Sequence, residues 1–148
     1  CLDKVGQFLI QCQDVLQLTF PDENFNVCTS TSVFEHIPND LKGFAEILRV
    51  LKPGGIFIFI VPLHKNLEDT VERAKLENGK IIHLLNPERH HDIFLRGTNA
   101  ALAFRDYGKD IVDRLLAVGF SKAEIITIDS LSFLGPEPKV IIAYKKDD

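Results

Sequence analysis

Four histidines in this sequence could exchange a proton with a bound molecule near neutral pH: His36, His64, His90 and His91. An imidazole titrates close to physiological pH, which makes histidine a common general base. The alternative for His36, which stands among apolar residues, is a hydrogen-bonded structural role. His90 and His91 are adjacent, and the sequence contains no HxxxH pair and no cysteine-based zinc pattern. The spacing therefore predicts no metal site.

Polar residues that follow short apolar runs form a second group of candidates. Asp14 comes after the run 8–10, and the hydroxyl-rich stretch 29–32 comes after the run 25–28. In open α/β sheets, ligands bind at the carboxyl ends of the strands. A carboxylate there can accept a hydrogen bond from an amino group, although Asp14 could equally be a turn residue that caps neighbouring amides. The hydroxyl-rich stretch could likewise be a polar loop that leads into a helix.

One helix and the strand after it have the clearest signals. Apolar residues recur at helical spacing over residues 41–51, and Asn39 or Asp40 can cap this helix. The turn 53–55, Pro-Gly-Gly, ends it. Residues 56–61 are apolar at every position, which is typical of a strand covered on both faces within a parallel sheet. The combination predicts an α/β fold.

The rest of the chain gives weaker signals. Residues 66–77 are predicted as a second helix that ends at Asn78-Gly79, and residues 80–104 as a long loop or insertion. Residues 109–118 are predicted as a third helix, with strands at 123–128 and 140–144. No linker composition interrupts the chain, so residues 1–148 are interpreted as one domain.

Composition excludes several classes of partner. The net charge is −4 and no basic patch is present, which disfavours nucleic acid. The longest apolar run, residues 56–61, is far shorter than the roughly 20 residues of a membrane helix. Three widely spaced cysteines predict no disulfide framework and favour the cytoplasm. No glycine-rich nucleotide-binding motif of the GxGxG or GxGxxG type is present.

Residues 14–62 carry a family resemblance. The segments DVLQLTFPDENF, EH and LKPGG, followed by an apolar strand, together resemble the type 11 branch of class I S-adenosylmethionine-dependent methyltransferases. Residues 106–125 resemble the late helix and strand of that family. The resemblance implies a three-layer, Rossmann-like and mostly parallel sheet, with its third strand at residues 8–11. The family's first two strands, and its glycine-rich cofactor loop, would then precede Cys1, so the expectation is an N-terminally truncated domain.

The same resemblance implies a cofactor, S-adenosylmethionine, and a set of contacts to it. Asp14 takes the position of the adenine-binding carboxylate, and the four histidines are weak candidates for a base. The predicted cofactor-binding residues are Asp14, Val15, Ser30, Thr31 and Phe34.

The predicted function is methyl transfer to a small-molecule or other acceptor, carried out by the full-length protein. The alternative is a non-catalytic module, or an inactive fragment, that keeps the fold. In the family the first strand lies beside the fourth, so a chain without it leaves one edge of that strand unpaired. Such an edge predicts self-association.

Overall fold

The computed structural model describes residues 2–5, 8–64, 66–90, 100–128 and 139–147. A short 3-10 helix covers Phe34–His36. The other elements in chain order are β1 Leu2–Val5, β2 Phe8–Gln11, β3 Phe25–Thr31, α1 Asp40–Val50, β4 Leu51–Ile60, β5 Val71–Glu72, β6 Ala74–Glu77, β7 Lys80–His83, β8 Arg89–His90, β9 Ala101–Leu102, β10 Arg105–Asp106, α2 Ile111–Val118, β11 Lys122–Thr127 and β12 Lys139–Tyr144.

Four strands form the main sheet in the order β11, β12, β4, β3. β3 and β4 are parallel, whereas β12 runs antiparallel to both of its neighbours. The sheet is therefore mixed, and the expectation of a mostly parallel sheet needs correction. The reason is that β12 pairs with β11, the element before it, and a parallel pairing of successive strands needs a crossover connection.

α1 begins as the sequence predicts. The side chain of Asn39 accepts a hydrogen bond from the backbone N–H of Lys42 and so caps the first turn. Phe44 and Ile47 are buried on the face that packs against the sheet. Among the described residues, no helix has the length and apolar character to cross a membrane.

Aromatic rings form the centre of the hydrophobic core. Phe57 and Phe59 of β4 stack with ring centroids 4.4 Å apart, and Phe34 stacks on Phe44 at 4.5 Å. α2 adds Ile111 to the same cluster. Burial of each such side chain contributes about 1.5–3 kcal/mol. This core fixes α1, α2 and the 3-10 helix on one face of the sheet.

The opposite face of β4 carries Ile56, Ile58 and Ile60, which are only half-buried. The uninterrupted apolar run predicted cover on both faces. In the part of the chain that the structure describes, α1 and α2 both pack on the Phe57 and Phe59 face. The resemblance implied three layers, but in the described part of the chain the sheet has one helical layer.

The N-terminal strands form a hairpin of their own. β1 pairs antiparallel with β2, with Leu2 opposite Gln11 and Val5 opposite Phe8. The resemblance implied that residues 8–11 form the third strand of the main sheet, and the structure places them in this separate two-stranded sheet instead. Because β1 lies just before β2 in the chain, their pairing closes a very short loop and costs little chain entropy.

The helix predicted over residues 66–77 is not formed, and this segment instead contains β5 and β6, of which β6 is the first strand of a hairpin. β6 pairs antiparallel with β7, and Asn78 and Gly79 form the two-residue turn with φ angles of 52° and 73°. Positive φ at both positions is the conformation that Asn-Gly favours in tight hairpins. The predicted long loop over residues 80–104 likewise contains short strands, since β7 lies at its start and β8 pairs with β9.

Candidate functional site

The segment between β2 and β3 carries Asp14, the residue predicted to bind adenine. Its Oδ1 accepts a hydrogen bond from the backbone N–H of Leu16 at 2.9 Å, and its carbonyl accepts one from Gln17. Asp14 is therefore a turn residue, in line with the alternative considered for it. It remains exposed, while the adjacent Val15 packs against the core. A carboxylate on a turn that is held to the core can still meet a ligand.

α1 holds this segment in place through two charged side chains. Glu46 accepts from the backbone N–H of Leu18 at 2.8 Å. Arg49 donates to the carbonyls of Leu18 and Phe20, each at 2.9 Å, and pairs with Glu46. The hydrogen bond from Arg49 lowers the pKa of the Glu46 carboxyl. The orientation of the Asp14 loop is thus set by the helix that precedes β4.

The carboxyl ends of β3 and β4 bring Ser30, Thr31 and Ser32 to one edge of the sheet. Thr31 lies opposite Ile60 in the parallel register, and Ser32 donates its N–H to the carbonyl of Ile60 at 2.8 Å. Ser30 is half-buried, whereas Thr31 is exposed. Ser32 has a φ of 51°, a left-handed conformation that is strained for a residue with a side chain. Strain of this kind is concentrated at functional sites.

Phe34 lies in the core rather than on the site surface. Its exposed fraction is 1%, and its ring packs against Phe44, Phe57 and Phe59. A ring enclosed in this way has no surface left for a cofactor. The assignment of Phe34 as a cofactor contact therefore does not agree with its position, and its role is to anchor the turn that follows β3.

Arg105 clamps this turn from the opposite side. Its guanidinium donates to the carbonyls of Phe34 at 3.1 Å, Ile37 at 2.6 Å and Pro38 at 3.0 Å. Its side chain is only 2% exposed. The planar fork of an arginine suits several acceptors at once, which a lysine could not reach together. The turn that presents Glu35 and His36 is thus fixed by a residue about 70 positions later.

Asp40, at the start of α1, is the anion of this buried network. Arg114 of α2 donates to Oδ1 at 2.7 Å, and the hydroxyl of Tyr107 donates to Oδ2 at 2.9 Å. The Nε of Arg105 lies 3.7 Å from Oδ2. Burial, with the charge of Asp40, raises the pKa of Tyr107 well above its ordinary value. Tyr107 is therefore a hydrogen-bond donor here and not a candidate base.

Glu35, His36 and His90 come together beside the clamped turn. The rings of His36 and His90 have centroids 5.3 Å apart, and the Nε2 of His36 is 3.7 Å from Oε1 of Glu35. Glu35 is 1% exposed, and both of its carboxylate oxygens are buried without a hydrogen-bond partner. Burial raises the pKa of the Glu35 carboxyl, while the two imidazoles act in the opposite direction.

The other two candidate histidines are not part of this group. His64 is exposed after β4 and lies 3.7 Å from Oδ1 of Asp106. His91 lies outside the described residues. Of the histidines predicted as possible bases, the structure therefore brings His36 and His90 together. The residues that sequence reasoning missed are Glu35, Asp40 and Arg105, whose partners lie far away along the chain.

The region that contains Asp14 and the clamped turn matches a known protein family. Residues 2–59 match a family model described as a methyltransferase domain. The match spans the Asp14 loop, β3, the clamped turn and α1, and it extends into β4. This similarity over residues 2–59 supports an S-adenosylmethionine-dependent methyltransferase.

Curated relatives of this chain are longer than it is. Over 73 residues it is 36% identical to a probable tocopherol O-methyltransferase, chloroplastic, from Oryza sativa subsp. japonica. The aligned part is 49% of this chain and 19% of that relative. The chain thus spans about a fifth of that protein's length.

Solved structures share the methyltransferase fold across nearly the whole chain. The [4+2]-cyclase SpnF matches with a TM-score of 0.59 and 16% identity, over 93% of this chain and 57% of SpnF. A putative S-adenosylmethionine-dependent methyltransferase from Listeria monocytogenes matches with a TM-score of 0.56 and 17% identity, over 91% of this chain and 68% of that one. Identities this low show a shared fold, and a fold by itself does not determine the reaction.

Proposed function

We propose that this chain forms part of an enzyme that transfers a methyl group from S-adenosylmethionine to a small-molecule acceptor. The observation that carries the proposal is the family match over residues 2–59, which includes the exposed Asp14 and the strand end at Thr31. The name of the rice relative, a tocopherol O-methyltransferase, supports a small molecule as acceptor. The net charge of −4 argues against nucleic acid.

The predicted contact residues would meet both the adenine and the methionine moieties of the cofactor. Asp14 presents a carboxylate on a turn held to the core, and such a group can accept from the exocyclic amine of adenine. Ser30 and Thr31 place hydroxyl groups at the end of β3, where the family's cofactor carries its methionine moiety. Val15 lies next to Asp14, and its backbone would form one wall of the adenine pocket.

Positioning is the main catalytic contribution that these residues can make. When bound, S-adenosylmethionine would supply a methyl group attached to a sulfonium. The sulfur becomes a neutral thioether when it loses that group, so it needs no acid. The protein must align the acceptor with that methyl group, and alignment alone can lower a barrier by about 7–11 kcal/mol. A hydroxyl acceptor would also lose a proton, for which His36 is the best-placed histidine because its Nδ1 is anchored to the carbonyl of Leu102 at 2.9 Å.

Calorimetric titration with S-adenosylhomocysteine tests the assignment of Asp14. In the Asp14→Asn variant, Oδ1 can still accept from Leu16 and keep the turn, but an amide group replaces the second acceptor oxygen. We expect one binding site in the unmodified chain and a loss of affinity of about 10- to 150-fold in this variant, since a hydrogen bond to a charged group contributes about 1.5–3 kcal/mol.

The control for this titration is Asp113→Asn, a matched change at an exposed position on α2. It should leave the affinity unchanged. Equal affinity of the Asp14→Asn variant would remove Asp14 from the site. A complete lack of binding at millimolar ligand would contradict cofactor binding by these residues and favour the non-catalytic module.

We further propose that the chain, when isolated, associates with a second copy along β3. In the described part of the chain, β3 pairs on one side only, with β4, and its Val27 is 50% exposed. A free strand edge is a template for another strand. Sedimentation velocity should show dimers or larger species, and Val27→Lys should shift them to monomer. Leu116→Lys, at an exposed position on α2, is the matched control, and a monodisperse unmodified monomer would contradict the proposal.

A further inference from the structure

The carboxylate of Glu35 is buried beside the imidazoles of His36 and His90. Its residue is 1% exposed, and neither oxygen has a hydrogen-bond partner among the described residues. Buried charged groups are normally paired, hydrogen-bonded or bound to a metal, because removal of a charge from water is expensive. Arg105 lies next to this turn in the folded chain, but its hydrogen bonds go to the carbonyls of Phe34 and Ile37 and not to Glu35. A bound cation would supply the partner that both oxygens lack.

The two nearby imidazoles are oriented as metal ligands usually are. The Nδ1 of His36 is 2.9 Å from the carbonyl of Leu102, which can only accept, so Nδ1 carries the hydrogen and Nε2 has the free lone pair. The Nε2 of His90 is 3.3 Å from Oε1 of Glu88 and can donate to it. Metal-binding histidines typically donate their second ring nitrogen to a carbonyl or a carboxylate in this way.

We propose that Glu35, His36 and His90 bind a divalent transition-metal cation of the zinc type. One donor atom from each residue lies within 4.8 Å of the other two. Two imidazoles and one carboxylate are a ligand set that zinc accepts, whereas calcium and magnesium prefer oxygen ligands alone. Three protein ligands leave a coordination position open for water or for an oxygen atom of a bound molecule.

The cation would also connect two parts of the chain. Glu35 and His36 belong to the turn after β3. His90 belongs to β8, which pairs with β9, the strand that contains Leu102. Glu88 brings a second negative charge near His90, and its other oxygen is paired with Arg73 at 3.1 Å. A bound cation would thus hold the β8–β9 segment against the clamped turn. Because a cation on the Nε2 of His36 would occupy the lone pair that a general base needs, His36 could act as a base only in the metal-free protein.

Titration of the metal-free chain with Zn²⁺ tests the site. Calorimetry should give one site with a dissociation constant of about 1 μM or tighter, and the melting temperature should rise with Zn²⁺ because the metal binds the folded state. Glu35→Gln keeps the size of the side chain and removes its charge, and His90→Ala removes a partly exposed ligand. Each should weaken Zn²⁺ binding by about 100-fold or more, since loss of an outer-shell partner alone costs about 10–100-fold.

His83→Ala is the matched control, because His83 is an exposed histidine of β7 outside the cluster. It should leave both the affinity and the thermal shift unchanged. Binding that survives Glu35→Gln and His90→Ala would place zinc elsewhere and overturn the proposal. A folded chain that binds no Zn²⁺ would also overturn it and identify Glu35 as a buried neutral acid. Absorption bands of tetrahedral Co²⁺, present in the unmodified chain and lost in Glu35→Gln, give a second readout of the same ligands.

Discussion

Replacement of Asp40 with asparagine should lower the free energy of unfolding by about 3–5 kcal/mol, the range for loss of one partner from a buried ion pair. The carboxylate of Asp40 accepts from both Arg114 and Tyr107, and it faces the Nε of Arg105. Asparagine keeps one acceptor oxygen and places an N–H₂ group against these donors. The guanidinium of Arg105, only 2% exposed, then loses its nearest buried countercharge.

Urea unfolding followed by far-ultraviolet circular dichroism measures this effect. The matched control is Asp113→Asn, which changes an exposed carboxylate on α2 and should alter the free energy of unfolding by less than about 0.5 kcal/mol. A loss of under about 1 kcal/mol for Asp40→Asn would show that the network contributes no more than a surface pair. If the variant does not fold at 25 °C, a milder Arg114→Lys substitution measures one arm of the network alone.

Replacement of Arg105 with methionine is expected to have a similarly large effect, again about 3–5 kcal/mol, because it breaks a buried charge pair and strips donors from buried carbonyls. The carbonyls of Phe34, Ile37 and Pro38 would lose their common donor. Methionine fills much of the same volume, so the change mainly removes hydrogen bonds and charge rather than packing.

Arg89→Met is the control for this variant. Arg89 is exposed and donates one hydrogen bond, to the carbonyl of Ala100 at 3.2 Å. The same urea experiment should show a change of less than about 0.5 kcal/mol there. Equal losses in the two variants would mean that the clamp on the turn after β3 adds nothing to the stability of the fold. Hydrogen exchange at His36 and Ile37, whose N–H groups bond within the turn, would locate the loss.

The elements with strong local signals could be predicted from the sequence. Asn39 caps α1 as predicted. The helix ends at Val50, however, and the Pro53-Gly54-Gly55 segment that was predicted to end it lies within β4. The Asn78-Gly79 pair shows the limit of such reasoning. Asn and Gly stop helices and also form the tightest hairpin turns, so the same residues fit both structures. Only the pairing of β6 with β7, a contact between segments, decides for the hairpin.

The candidate site was predictable only in part. Thr31 does follow an apolar run at the carboxyl end of β3, whereas the run before Asp14 lies in the separate β1–β2 hairpin. Cofactor binding by Asp14 and Thr31 stays a prediction. The group of Glu35, His36 and His90 could not be predicted, because the spacing between residues 36 and 90 matches no local metal-binding motif. The absence of such a motif led to the prediction of no metal site. Contacts between distant segments, and the left-handed conformation of Ser32, are set by tertiary packing.

The place of β12 has a consequence for how the protein is made. β12 is an inner strand, between β11 and β4, although it is the last of these three in the chain. During synthesis, β4 and α1 leave the ribosome long before residues 139–144, so β4 must wait for its neighbour. Pairings between distant segments form slowly, and exposed strand edges promote aggregation meanwhile. A nascent chain of this protein is therefore expected to need chaperone protection until β12 has been translated.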